Sequence, residues 1–140
     1  MNYKFFAVFF LSLFLISCSG TGQKSNSYIP SLESSGSGKV FILRDSGFLG
    51  IASVFTVILN GEKIGTLGNK EILTSQTISG KNTVSVKISG LQGIGLNEPM
   101  YSFDASMNQD YYFIVNLNPG FFTNKLEIVE VTEGSFNQSR

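Results

Sequence analysis

The chain of 140 residues predicts an all-β fold, an antiparallel β-sandwich of about seven strands standing behind an N-terminal signal helix and a flexible linker. Three observations carry that expectation. Short β-prone runs recur at near-regular spacing with turn residues between them; one Asn-Gly pair sits between two such runs; and beyond the first residues no stretch repeats its apolar positions with a helical period. The length suits one domain with one hydrophobic core.

The N-terminus has its own grammar. Lys4 supplies a positive start, and "FFAVFFLSLFLI", Phe5 to Ile16, is apolar except for Ser12. That is the layout of a secretory signal, and as a helix the run reaches only about 18 Å, short of the ~30 Å hydrocarbon core of a bilayer. The run ends in "LISC": Leu15, Ile16, Ser17 and Cys18, the only cysteine of the chain. This tetrapeptide resembles the lipobox of bacterial lipoproteins. The resemblance implies that residues 1–17 are a signal peptide, that the Cys18 thiol receives a diacylglyceryl group, and that the new N-terminus is acylated as well. A thiol is the one side chain here able to act as a strong nucleophile toward a lipid donor, and two or more acyl chains anchor a protein stably where one is marginal. Ser19 follows the cysteine where an aspartate would signal inner-membrane retention, so the expected location is the outer membrane, facing the periplasm.

Residues 18–38 then read as the lipidated cysteine and a tether. "SGTGQKSNSYIPSLESSGSG" is mostly Ser, Gly, Thr and Asn, too polar to repay its ordering entropy, and twenty such residues have a typical reach near 25 Å. Tyr28, Ile29 and Leu32 are its only residues suited to docking.

The domain is expected over residues 39–134, with 135–140 a tail. "KVFILR" opens it. "SVFTVILN", Asn60-Gly61 and "EKIGTLG" form a type I′ hairpin signature, pairing Leu59 with Glu62 and Val57 with Ile64, and placing Phe55, Val57 and Ile64 on one face. "EILTSQTI" and "TVSVKI" flank Ser79 to Asn82 as a second expected hairpin, in which Val84, Val86 and Ile88 alternate with Ser85 and Lys87. "PMYSFDAS" and "YYFIVNL" flank Met107 to Asp110, and "KLEIVEV" closes the series. Val129 beside Ile128 breaks the alternation and predicts a bulge or a change of sheet there.

Several blocks, "VFILRDSGFLG", "VILNGEKIGTLGNKE", "GKNTVSVKI", "YYFIVNL" and "GFFTNKLEIVEVTEG", resemble the family known as domain of unknown function 2846 (DUF2846). The resemblance covers roughly residues 39 to 134. It implies a β-sandwich and a bacterial lipoprotein, and no activity. Asp45 departs from the proline that often follows the arginine, and "GLQGIGLNEPM" is long for the family.

Composition excludes more than it selects. Ten Lys plus Arg balance ten Asp plus Glu, and loss of residues 1–17 removes only Lys4, leaving nine against ten, with the lysines scattered singly. No basic stripe for a nucleic acid exists. The chain contains no histidine, which removes Ser-His and Cys-His nucleophilic systems and histidine metal sites. Among the carboxylates, Asp104 and Asp110 bracket a turn, and Glu127, Glu130 and Glu133 lie on or after the last strand; Glu127 and Glu130 fall on opposite faces and cannot converge on one bond. The glycine-rich "SGFLG" and "SGLQGIG" do not lead into helices and offer no phosphate cradle. No enzyme, cofactor or metal site is expected. The loops "RDSGFLGIA" and "NPGFF" carry Phe48, Phe121 and Phe122, which either plug an open end of the sandwich or anchor a partner; plugging is the expectation, because three phenylalanines exposed on a monomer invite aggregation. Tyr111 and Tyr112 point to opposite sides of their strand, one into the core and one outward. Three readings of function follow: an envelope lipoprotein whose sandwich binds another envelope protein or a second copy of itself; a module that binds a small ligand or glycan through the loop phenylalanines; and, only because carboxylates such as Asp104 and Asp110 exist, a weakly acidic hydrolase.

Overall fold

The computed structural model describes residues 20–25, 38–46, 53–88, 93–120 and 124–140. Among these residues lie nine strands and one helix: β1 (Gln23–Lys24), β2 (Lys39–Arg44), β3 (Phe55–Leu59), β4 (Glu62–Leu67), β5 (Glu71–Gln76), β6 (Gly80–Ile88), β7 (Met100–Ala105), β8 (Tyr111–Asn118), β9 (Lys125–Val131) and α1 (Glu133–Ser139). One sheet has the order β1-β5-β2-β8-β9 and the other β4-β3-β6-β7. The all-β sandwich expected from the periodicity is present, with nine strands in place of about seven. It is not wholly antiparallel, because β2 and β8 pair in parallel from Val40↔Tyr111 to Arg44↔Val115.

The alternation in the sequence sorts side chains between two cores. Val40 and Ile42 of β2, Phe113 and Val115 of β8, Phe55 and Val57 of β3 and Val84 and Val86 of β6 meet between the sheets. The opposite parity of β2 and β8, Phe41, Leu43 and Ile114, gathers with Ile72 on the outer face of the larger sheet, where Phe136 covers it. Phe136 comes from α1, so the expected tail is an ordered helix. Thr132 caps α1 by accepting from the Ser135 N–H, and Phe136 packs edge-on to Phe41 and tilted to Tyr112. A helix of seven residues holding one core side chain leaves no periodic trace in a sequence.

Turn chemistry worked where it was local. Asn60 and Gly61 both take positive φ, at 53° and 83°, and Leu59 pairs with Glu62 as the type I′ turn requires. Beyond that pair the register shifts, and Val57 faces Gly65 instead of Ile64. The extra residue is Ile64, which still packs on the inner core beside Phe55 and Val57. At β9 the reverse holds: its register against β8 runs unbroken from Tyr112↔Val131 to Asn118↔Lys125, so the bulge or change of sheet expected at Val129 is absent, and Val129 points outward at an edge, 41% exposed.

The second expected hairpin is a connection of a different kind. β5 pairs with β1 and β2, whereas β6 pairs with β3 and β7, so the segment between β5 and β6 crosses from one sheet to the other instead of closing a hairpin. The same is true between β7 and β8. The first crossing is held by Asn82, which is fully buried. Its Nδ2 donates to the carbonyls of Ile78 (2.7 Å) and Gly80 (2.8 Å), and its Oδ1 accepts from the Ile78 N–H (3.2 Å) and from Asn60 Nδ2 (2.9 Å). Asn60 in turn accepts from the Thr83 N–H, so the hairpin tip and the crossing form one network. Asn82→Ala removes four hydrogen bonds to part-buried groups of three other residues, and we expect it to lower stability by about 2 to 3 kcal/mol in denaturant unfolding; a loss below half of that would mean the network carries little.

Candidate functional site

The most heavily engineered corner of the domain lies where β4 of one sheet passes through Gly68–Lys70 into β5 of the other. Residues 20–25, expected to be a solvated tether, lie across it. Thr21 faces Thr66 of β4: the Thr21 N–H donates to the Thr66 carbonyl (2.8 Å), the Thr66 N–H donates to Thr21 Oγ1 (2.8 Å), and the Gly22 N–H also donates to the Thr66 carbonyl (3.0 Å). Two residues later the segment becomes β1 and pairs antiparallel with β5, Gln23 opposite Ile72 and Lys24 opposite Glu71. The Ser25 N–H then donates to the Lys70 carbonyl. One short segment thereby joins both sheets. Its glycines permit the approach: a Cβ on Gly20 would lie 2.6 Å from the Thr66 carbonyl oxygen, and one on Gly22 would lie 2.9 Å from that of Ile72. Gly65 is the socket on the other side, where a Cβ would lie 2.7 Å from Thr21 Oγ1.

Beneath the segment two opposite charges are buried. Arg44, 2% exposed, points between the sheets from the end of β2; Glu71, 1% exposed, does so from the start of β5. The Arg44 guanidinium lies 3.9 Å from the centre of the Phe55 ring and donates from the same nitrogen to the carbonyls of Ser53 and Leu67. Glu71 Oε2 accepts from the Gly68 N–H (2.8 Å), and Oε1 meets Lys24 Nζ at 3.1 Å. Burial pushes the Arg44 guanidinium below its ordinary range, and the Glu71 carboxylate pulls it back. Lys24 is half exposed and also donates to the Asn69 carbonyl (3.2 Å), so β1 brings the rim cation that completes the carboxylate's coordination.

The opposite side of the sandwich closes without charge burial. Asn97 pairs with β9 through both halves of its amide, donating to the Leu126 carbonyl (2.8 Å) and accepting from the Leu126 N–H (2.9 Å). The long stretch before β7 therefore covers part of an edge strand. Tyr101 donates to Glu130 Oε2 (2.9 Å) across the gap between β7 and β9; that bond and the carboxylate's charge raise the phenol above its ordinary value.

The residues singled out in the sequence fall as follows. Leu15, Ile16, Ser17, Cys18, Phe48, Phe121 and Phe122 lie outside the described residues. Asp104 is exposed on β7, and Asp110 accepts from the Lys39 N–H (2.9 Å). Glu127 bonds Lys125 and Asn118, which holds its carboxyl below the usual range, while Glu130 bonds Tyr101 on the other face. These carboxylates are dispersed and make no convergent pair. Among the described residues no group of three or more acidic, cysteine or histidine side chains could hold a metal ion, and no helix is long and apolar enough to cross a membrane. Tyr111 enters the core, donating to the Asp104 carbonyl and accepting from the Ser106 N–H. Tyr112 points outward as expected, yet stacks on Phe41 and is covered by Phe136. The Arg44 and Glu71 pair was missed. A charge at the end of a β-prone run reads as a surface terminus, and pairing across 27 positions leaves no local signal.

No family model matches the chain, and no curated protein matches it. A search of solved structures finds an NMR structure of a protein from Eubacterium rectale, at 12% identity and a TM-score of 0.44, covering 74% of this chain and 99% of that one.

Chemically, this corner fixes two buried charges among their partners. Glu71→Ala leaves Arg44 buried beside lost countercharge, and we expect a loss of about 3 to 5 kcal/mol, whereas Arg44→Met with Glu71→Leu should restore most of it, as measured by chemical denaturation. Equal losses in the single and double variants would show that the two charges do not act together. A domain begun at Lys39 lacks β1, Thr21 and Lys24, and should melt several degrees below one begun at Ser19; identical melting would mean that residues 20–25 contribute nothing to the fold.

Proposed function

We propose that the protein is a bacterial envelope lipoprotein, fastened through acyl chains on Cys18, whose β-sandwich acts without catalysis by binding another envelope protein. The observation that carries this reading is the order of features before the domain: Lys4, the apolar run Phe5 to Ile16, and "LISC" ending at Cys18. The absence of histidine from the chain and the dispersion of the described carboxylates favour binding over hydrolysis. Ser19 behind the cysteine favours the outer membrane, with the domain in the periplasm.

Intact-mass analysis and detergent partitioning of the chain isolated from membranes test the anchor. The expected result is an acylated N-terminal Cys18 in the detergent phase, and a Cys18→Ala chain that keeps its signal peptide and partitions differently. A mature chain with a free thiol would exclude the reading. Crosslinking in intact cells, compared with Cys18→Ala, then reads the partner: one dominant protein lost with the anchor supports an interaction role.

A further inference from the structure

We propose that the domain stands directly on the bilayer, with the end that carries Gly20 and the β4–β5 turn facing the lipid headgroups and the Asn60-Gly61 end facing away. The proposal rests on the acylation of Cys18 put forward above, and adds to it how the anchored domain is held. Its basis is the length of free chain. Gly20 to Ser25 are fixed to both sheets through Thr66, Lys70, Glu71 and Ile72. Only Ser19 lies between Cys18 and Gly20, and that much chain spans at most about 7 Å, against the ~25 Å reach of a twenty-residue free tether. Residues 26–37, the rest of the supposed tether, run between two points on the domain, Ser25 and Gly38, and add no distance from the membrane.

The end nearest the anchor also has the chemistry of a lipid-facing surface. Strands β2, β5, β3 and β6 register there: Leu43 lies opposite Ile72, and Phe55, under the Arg44 guanidinium, lies opposite Leu67 and Ile88. The cations of this end include Lys24 at Glu71, Lys70, whose Nζ reaches the Ser139 carbonyl (3.4 Å), Arg140 beside Ser139, and Lys125 at the start of β9. Its acids are Asp45, half-buried, Glu98, exposed, Glu127, paired with Lys125, and Glu71, buried against Arg44 and Lys24. Just beyond Ile88, Gly93 packs against the Ile88 carbonyl, and the next side chain, Ile94, is 75% exposed. Long cationic side chains and an exposed isoleucine at the same end suit the interface between headgroups and acyl chains. The opposite end holds Asn60, Gly61 and the turn containing Met107, which is 73% exposed; strands of six to nine residues put it some 20 to 30 Å further out.

The chain has no tryptophan and one cysteine, so both reporter and anchor can be placed without interference. The chain from Cys18 onward, which contains every described residue, is coupled through its thiol to a maleimide phospholipid in phosphatidylcholine and phosphatidylglycerol vesicles. Ile94→Trp and Met107→Trp variants, each with a single tryptophan, are read with lipids brominated near the headgroup. We expect the Ile94→Trp emission to fall about twofold and the Met107→Trp emission to stay unchanged. A Gly-Ser spacer of a dozen residues inserted after Ser19 should abolish the quenching at position 94. Quenching at neither position, or equally at both, or undiminished by the spacer, overturns the proposal. Because the lipid is attached chemically, this outcome is independent of the mass of the natural Cys18, whose lack of acyl groups would refute the lipoprotein reading by itself.

Discussion

Burial of Arg44 and Glu71 is the constraint from which the rest of this corner follows. A guanidinium and a carboxylate taken from water cost several kcal/mol each unless most of their hydrogen-bonding groups are met. Here five partner groups come from three stretches of the chain: the Ser53 carbonyl and Phe55 ring, the Leu67 carbonyl and Gly68 amide, and the Lys24 ammonium. Only the Gly68 amide lies near its partner in sequence, three residues before Glu71. The β4–β5 turn, the approach to β3 and the N-terminal segment must be in place together, which makes this end of the sandwich a single cooperative unit instead of three loops.

The two lateral openings of the sandwich are treated in different ways. Beside β4 and β5, backbone pairing by Thr21, Gln23 and Lys24 converts two sheets into a partly closed barrel. Beside β7 and β9, single side chains do the work, with the Asn97 amide imitating a peptide against Leu126 and Tyr101 reaching Glu130. The first closure resists prying because it is made of several aligned bonds. The second leaves the edges of β7 and β9 largely available.

What could be read in the sequence was what depends on neighbours along the chain. The Asn60-Gly61 turn, the inward set Val84, Val86, the inward Tyr111 and the separation of Glu127 from Glu130 all follow from a period of two or from the φ that glycine and asparagine accept. Alternation states which face a residue takes and is silent on which strand it meets. For that reason β5 and β6 looked like a hairpin, although the buried Asn82 turns the chain into the other sheet. The N-terminal segment failed for a chemical reason: Gly20, Thr21 and Gly22 dock through backbone groups and small side chains, the same composition that makes a good linker. Helix α1 contributes one buried residue, Phe136, and one cap, Thr132, too little for a periodicity. Most of the fold was legible; the charge pair and its covering strand, which depend on contacts between distant positions, were not.

The contact between Thr21 and Thr66 spans 45 positions, and this bears on the order in which the molecule assembles. Every partner of residues 20–25 is made after them on the ribosome, and closing so long a loop is entropically costly until β4 and β5 already stand in register. The earliest part of the domain to be synthesised is therefore the last to find its place. A partly made chain carries this segment unpaired until the sandwich behind it has formed, so the closing of the β4–β5 side marks the completion of the fold.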